Sequence, residues 1–123
     1  MIQNATKRVM LVSQTRVLRS LFAKTKGLMF SKPLRDQGLI FRFNSLAIRQ
    51  IHTFFVQEPI DVLYLDDSRK VVEIKRKLKP YRFYSPRHAS QFIIEFPVST
   101  LTAKNCSIGD HIQFAERDAI TNK

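Results

Sequence analysis

A chain of 123 residues can bury one hydrophobic core and is too short for two ordinary domains, so residues 1–123 are expected to form a single domain. Its 21 Lys and Arg against 10 Asp and Glu favour anionic partners, and its single cysteine, Cys106, excludes an intrachain disulfide. No apolar run approaches a membrane span, so a cytoplasmic protein without a membrane partner is expected.

Ten Phe and three Tyr, with no Trp, suit a β-rich core. Lys7–Val12 reads as a first short strand. Thr15–Gly27 reads as an amphipathic helix, with Val17, Leu18, Leu21, Phe22 and Leu28 on one side and Arg16, Arg19 and Lys26 opposite. Ser13 or Thr15 would cap it, and Gly27 would end it. After the loop Lys32–Gly38, Leu39–Phe43 has strand character. Two apolar runs follow, Ile51–Val56 and Ile60–Leu65, on either side of the polar corner Gln57-Glu58-Pro59.

Asp66-Asp67-Ser68 is a cluster of turn formers, so Val71–Lys77 should pair back on Ile60–Leu65. In that run Val72 and Ile74 alternate with Glu73 and Lys75, the pattern of a half-exposed strand. Pro80 and Pro86 punctuate a basic and aromatic stretch, and Gln91–Phe96 is a further strand. Pro97–Lys104 could hold a short helical turn, and Ile108-Gly109-Asp110 turns into a last strand, His111–Phe114. The predicted core spans about residues 7–115, with 116–123 a frayed tail. The fold class expected is mainly β: an antiparallel sandwich or barrel carrying one N-terminal helix.

Certain residues invite chemistry. Asp61 interrupts an apolar strand, where a carboxylate needs partners: backbone N–H groups, Arg82 or Arg87 for a structural role, a ligand for a functional one. His52 lies among aromatics and would join Asp61 only if their strands were neighbours. His52, His88 and His111 lack metal-ligand spacing, so neither metal nor cofactor is expected. Residues 1–50 hold ten basic groups and one acid, Asp36; Arg69–Arg87 holds eight against Glu73. In the second cluster Tyr81, Phe83 and Tyr84 interleave with cations, as in proteins that hold single strands. The bland alternative is an amphipathic crossover whose aromatics face the core while its Lys and Arg reach outward.

Several motifs resemble one family. Gly27-Leu28-Met29-Phe30, then His52-Thr53-Phe54-Phe55 with Pro59-Ile60-Asp61-Val62 and Leu65-Asp66, are similar to motifs of domain-of-unknown-function family 192, also called uncharacterised protein family 0127. His52 stands where other members carry Trp. Lys79-Pro80-Tyr81-Arg82, Ile93-Ile94-Glu95-Phe96-Pro97 and Ile108-Gly109-Asp110 resemble the segments that follow, in order, so the likeness spans about Arg16 to Phe114. It implies a small, mainly β prokaryotic domain and supplies no reaction. Val56-Gln57-Glu58 and Ser99 depart from the family pattern, so a groove shaped there in relatives would differ here.

Three functions follow, in order of preference. The first is a non-catalytic module binding a small ligand or protein through His52, Asp61, Lys79, Tyr81 and Arg82. The second is an anion or nucleic-acid binder using Lys75, Arg76, Lys77 and Arg87. The third is an enzyme built on Asp61 and His52.

Overall fold

The computed structural model describes residues 1–16, 34–53 and 57–121. In chain order the strands are β1 (Ile2–Asn4), β2 (Val9–Val12), β3 (Gln14–Thr15), β4 (Gln37–Ala47), β5 (Ile51–His52), β6 (Ile60–Leu65), β7 (Val71–Leu78), β8 (Phe83–Tyr84), β9 (Ser90–Pro97), β10 (Ile112–Gln113) and β11 (Ala119–Thr121). The central sheet runs β11-β4-β9-β6-β7, with β3 also on β4. Its β4–β9–β6–β7 part is antiparallel, while β3 and β11 both join β4 in parallel. A three-stranded sheet, β10-β1-β2, and a two-stranded ladder, β5-β8, complete the described fold.

All six residues of β6 are buried, as expected of a strand covered on both faces. One face carries Leu63, Leu65, Ile94 and Phe96 against Ile2, Val12 and Ile112 of the three-stranded sheet. The other carries Ile60, Val62, Tyr64 and Ile93, with Ile51 and Tyr84 of the small ladder packed on them. At Gly38 the layers approach closely: a Cβ there would lie 2.5 Å from Ile2 Cδ1.

The turn after β6 forms at the expected residues. Asp66 Oδ1 accepts from the N–H groups of Ser68 and Lys70, both at 2.9 Å, and Arg69 takes the left-handed conformation, φ 64°.

Other expectations are corrected. The helix predicted from Thr15 does not begin there: Thr15 ends β3, paired with Gly38, and the Arg16 N–H continues the pairing to the Gly38 carbonyl at 2.9 Å. The open edge of β4 satisfies these backbone groups, so a β-branched Thr stays extended. The described residues contain no α-helix, only a 3-10 turn at Glu116–Asp118. The rest of the predicted helix, including Leu21, lies outside the described residues.

No helical turn starts at Pro97 either; one closes only later, where the Thr102 carbonyl accepts from the N–H groups of Asn105 (3.2 Å) and Cys106 (3.1 Å). Ser99 has φ 70°, and Thr100 bonds the Pro97 carbonyl through both its N–H (3.2 Å) and its hydroxyl (2.7 Å). Such local bonds compete with a helix. The tail, expected to fray, instead supplies β11 on Ile40–Arg42 of β4. Glu73, read as exposed, is only 8% exposed.

Candidate binding surface

The β6–β7 pairing contains a bulge opposite Asp61: the register passes from Ile60↔Leu78 to Val62↔Lys75. Lys77, in the bulge, has φ 55°. This aims its N–H at the Asp61 carboxylate, 3.0 Å from Oδ1, while Oδ2 accepts from Leu101 N–H at 2.9 Å. Arg76 Nε donates to the Leu101 carbonyl at 2.9 Å, so Leu101 is held at both backbone groups. Asp61 is fully buried, and the two N–H bonds offset the cost of its burial. Asp61, Arg76, Lys77, Ser99, Leu101 and Thr102 line an open cleft of about 190 Å³.

The chain leaves β7 into a turn that Thr53 braces. This buried threonine donates its hydroxyl to the Lys79 carbonyl (2.6 Å) and accepts on it from the Arg82 N–H (3.0 Å). Its backbone N–H bonds the Arg82 carbonyl, and its carbonyl accepts from the Tyr81 N–H, both at 2.9 Å. Four bonds thus hold residues 79–82 in one geometry, with Tyr81 at φ 60°. The turn projects its rings outward: Tyr81 is 63% and Phe83 59% exposed. His52, opposite Phe83 in the β5–β8 ladder, is also exposed and meets that ring edge-on at 6.2 Å. Aromatics facing the core, as in an amphipathic crossover, describe only Tyr84, whose ring lies 6.0 Å from Tyr64.

Tyr84 is fixed by Glu73. The Glu73 carboxylate accepts from the Tyr84 hydroxyl, from the backbone N–H of Arg87 (2.8 Å) and His88 (3.2 Å), and pairs with His88 Nδ1 at 2.9 Å. Burial alone would raise its pKa, but these bonds hold it below the usual carboxylate range. Burial, then the bond to Glu73, pushes the Tyr84 phenol up to about 12. Lys75 Nζ lies 5.5 Å over the Tyr84 ring.

The same inner face carries two polar groups without such support. The Tyr64 hydroxyl is buried with no hydrogen-bond partner among the described residues. Glu95, between Leu39 and Val62 in register, has its carboxyl pushed up to about 7 by burial.

The cations differ in their partners. Lys7, Arg35 and Arg42 pair with Asp110, Glu58 and Glu116. Arg49 bonds the carbonyls of Ser45 and Ser90, and Arg69 that of Phe114, with its guanidinium 4.0 Å over the Phe114 ring. Lys75, Arg76, Lys77, Lys79, Arg82 and Arg87 make no ion pair among the described residues, although Arg76 and Arg82 bond the carbonyls of Leu101 and Tyr81. They follow β7, the outer strand of its sheet, the turn beyond it and, with Arg87, the segment after β8. Charge on an outer strand also discourages edge-to-edge pairing.

The residues anticipated from sequence therefore fall into two adjoining places. Asp61, Arg76 and Lys77 meet at the bulge, while Lys79, Tyr81, Arg82 and His52 belong to the braced turn and ladder. His52 and Asp61 do not form a pair: Asp61 faces inward to backbone N–H groups, and His52 sits on the outer ladder. Thr53 and Glu73 were missed. A Thr inside an apolar motif was the available signal for the first; nothing local signalled the second.

The profile of the family described as "Uncharacterized ACR, COG1430", domain-of-unknown-function family 192, matches residues 2–114. A family 0127 protein of Thermococcus sibiricus is 36% identical over 98% of this chain and 80% of its own length. One from Pyrococcus horikoshii is 33% identical over 93% and 98%. Among solved structures, a protein of unknown function from Novosphingobium aromaticivorans superposes with a TM-score of 0.69 at 20% identity, covering 81% of this chain and 74% of that one. A provisionally assigned transcription regulator from Sinorhizobium meliloti gives 0.74 at 18% identity, covering 91% and 88%. At such identities the likeness is one of fold. The sequence match is one of family: this chain belongs to domain-of-unknown-function family 192, uncharacterised protein family 0127.

Proposed function

We propose that this protein is a non-catalytic binding module that takes an anionic partner along β7 and the turn braced by Thr53. The observation that carries this reading is the concentration of cations: six basic side chains lie within the thirteen residues from Lys75 to Arg87 and make no ion pair among the described residues, whereas Lys7, Arg35 and Arg42 each have a carboxylate partner. From residue 74 to residue 94 the sequence holds no acid, so nothing local offsets their field. An enzymatic role for Asp61 draws no support from its geometry, because both carboxylate oxygens hold backbone N–H groups in place.

Retention on heparin tests the reading. The wild-type protein should elute at a salt concentration that falls when Lys79 and Arg82 are replaced together by Ala. Replacing Arg35 and Arg42, which already have carboxylate partners, should change elution much less. Equal losses from both pairs would mean a diffuse field and defeat the proposal.

A further inference from the structure

We infer that the exposed rings of Tyr81 and Phe83 are a stacking platform for the bases of single-stranded nucleic acid, with Lys79 and Arg82 on its phosphates. This rests on the anion-binding reading above and names its partner. Three observations support it.

The first is exposure on a rigid support. Tyr81 and Phe83 turn more than half of their surface to solvent, although burying an aromatic ring is among the largest gains a small core can make. The backbone beneath Tyr81 is pinned on both sides by Thr53. Rings held on a fixed backbone lose little freedom when a flat ligand stacks on them.

The second is the interleaving of chemistry. Lys79, Tyr81, Arg82 and Phe83 alternate cation and ring within five residues, and Arg76 and Lys77 extend the charge along β7. The centre of a protein–protein contact is depleted of charge, and an acidic protein partner would find no apolar centre separate from the cations among the described residues here. A single strand presents a base and a phosphate at every step, so it matches ring and cation alternately. A duplex offers phosphates but keeps its bases stacked on one another, leaving exposed rings unused.

The third is the chemistry of the rings themselves. Every base has a π face, so stacking on Tyr81 and Phe83 predicts binding tolerant of base identity.

The test is fluorescence anisotropy with a dye-labelled oligothymidylate at low salt, beside a duplex of the same length, vesicles containing phosphatidylserine, and a heparin column. The wild type should bind the single strand more tightly than the duplex, with affinity falling steeply as salt rises. Tyr81→Ala with Phe83→Ala should weaken single-strand binding by about tenfold or more while leaving heparin elution in place. Tyr81→Leu with Phe83→Leu keeps apolar bulk but removes the π faces, and should behave like the Ala pair. Lys79→Ala with Arg82→Ala should weaken both and lower the log–log salt slope by about 0.7 for each phosphate no longer neutralised. Circular dichroism confirms that each variant is folded.

Heparin retention with no preference for the single strand, or an aromatic pair that changes nothing, would overturn the inference and leave the anion-binding reading standing. Binding to the anionic vesicles but not to the oligonucleotide would overturn it in favour of a lipid surface. Failure of the wild type to bind heparin or oligonucleotide would remove both.

Discussion

The carboxylate of Asp61 accepts a hydrogen bond from the backbone N–H of Leu101, forty residues further along the chain, at 2.9 Å. Its other oxygen holds the N–H of Lys77 at 3.0 Å. One buried side chain therefore ties the β7 bulge to the loop after β9. In Asp61→Asn one acceptor becomes an NH₂ group facing an N–H donor. The expected loss is about 1–3 kcal/mol of stability, read as a lower urea midpoint with an unchanged slope. Heparin elution should hardly move, because Asp61 itself is hidden. A normal midpoint with lost retention would place Asp61 in the binding surface.

Tyr64 makes the opposite case. Its buried hydroxyl has no hydrogen-bond partner among the described residues, and burial raises its pKa. Tyr64→Phe keeps the ring and removes the orphaned polar atom, so the variant should be as stable as the wild type or more stable, by about 1 kcal/mol. Thermal unfolding checks the sign. A clear loss of stability would mean that the hydroxyl has a partner in solution.

Glu95 makes stability depend on pH. Burial lifts its carboxyl from 4.5 in the unfolded chain to about 7 in the folded one. The folded state therefore keeps a proton that the unfolded state has released, and stability falls as pH rises from 4.5 to about 7, with the full penalty present above that. At full burial the rise corresponds to roughly 3 kcal/mol, and partial exposure brings the expected value nearer to about 2. Glu95→Gln should be more stable than the wild type at about pH 8, and the difference should shrink near pH 4.5. Parallel stability–pH curves for the two proteins would show that Glu95 is well solvated.

The strands and the Asp66 turn were legible because their signals are local. β6 is apolar but for Asp61, β9 carries Phe92, Ile93, Ile94 and Phe96, and Asp66-Asp67-Ser68 bonds its own backbone. The burial of Asp61 could be anticipated, since a carboxylate inside such a run must find partners. Glu73 could not be placed this way. Its alternation with Val72 and Ile74 mimics an exposed position, and the groups that bury it, Tyr84, Arg87 and His88, come eleven to fifteen residues later. Thr15 and Ala119–Thr121 failed for a related reason: the free edge of β4 captures both, and no local pattern announces an edge. The outward turn of Tyr81 and Phe83 was open in the sequence, because an amphipathic crossover and an exposed tip share one composition.

Thr53 offers the sharpest separation of shape from charge. Its hydroxyl bridges the Lys79 carbonyl and the Arg82 N–H beneath the exposed rings. Thr53→Val keeps the volume and the β-branch but leaves both groups unpaired, for an expected cost of about 1–3 kcal/mol. All six cations from Lys75 to Arg87 remain, so the number of phosphates neutralised, and with it the log–log salt slope, should stay the same. What changes is the freedom of the 79–82 turn, which must then be ordered at the moment of binding. Affinity for an oligothymidylate should drop several-fold at every salt concentration, giving a parallel displaced line rather than a flatter one. If the slope fell as well, Thr53 would be placing the cations themselves; if the line did not move, the brace beneath Tyr81 would matter to stability alone.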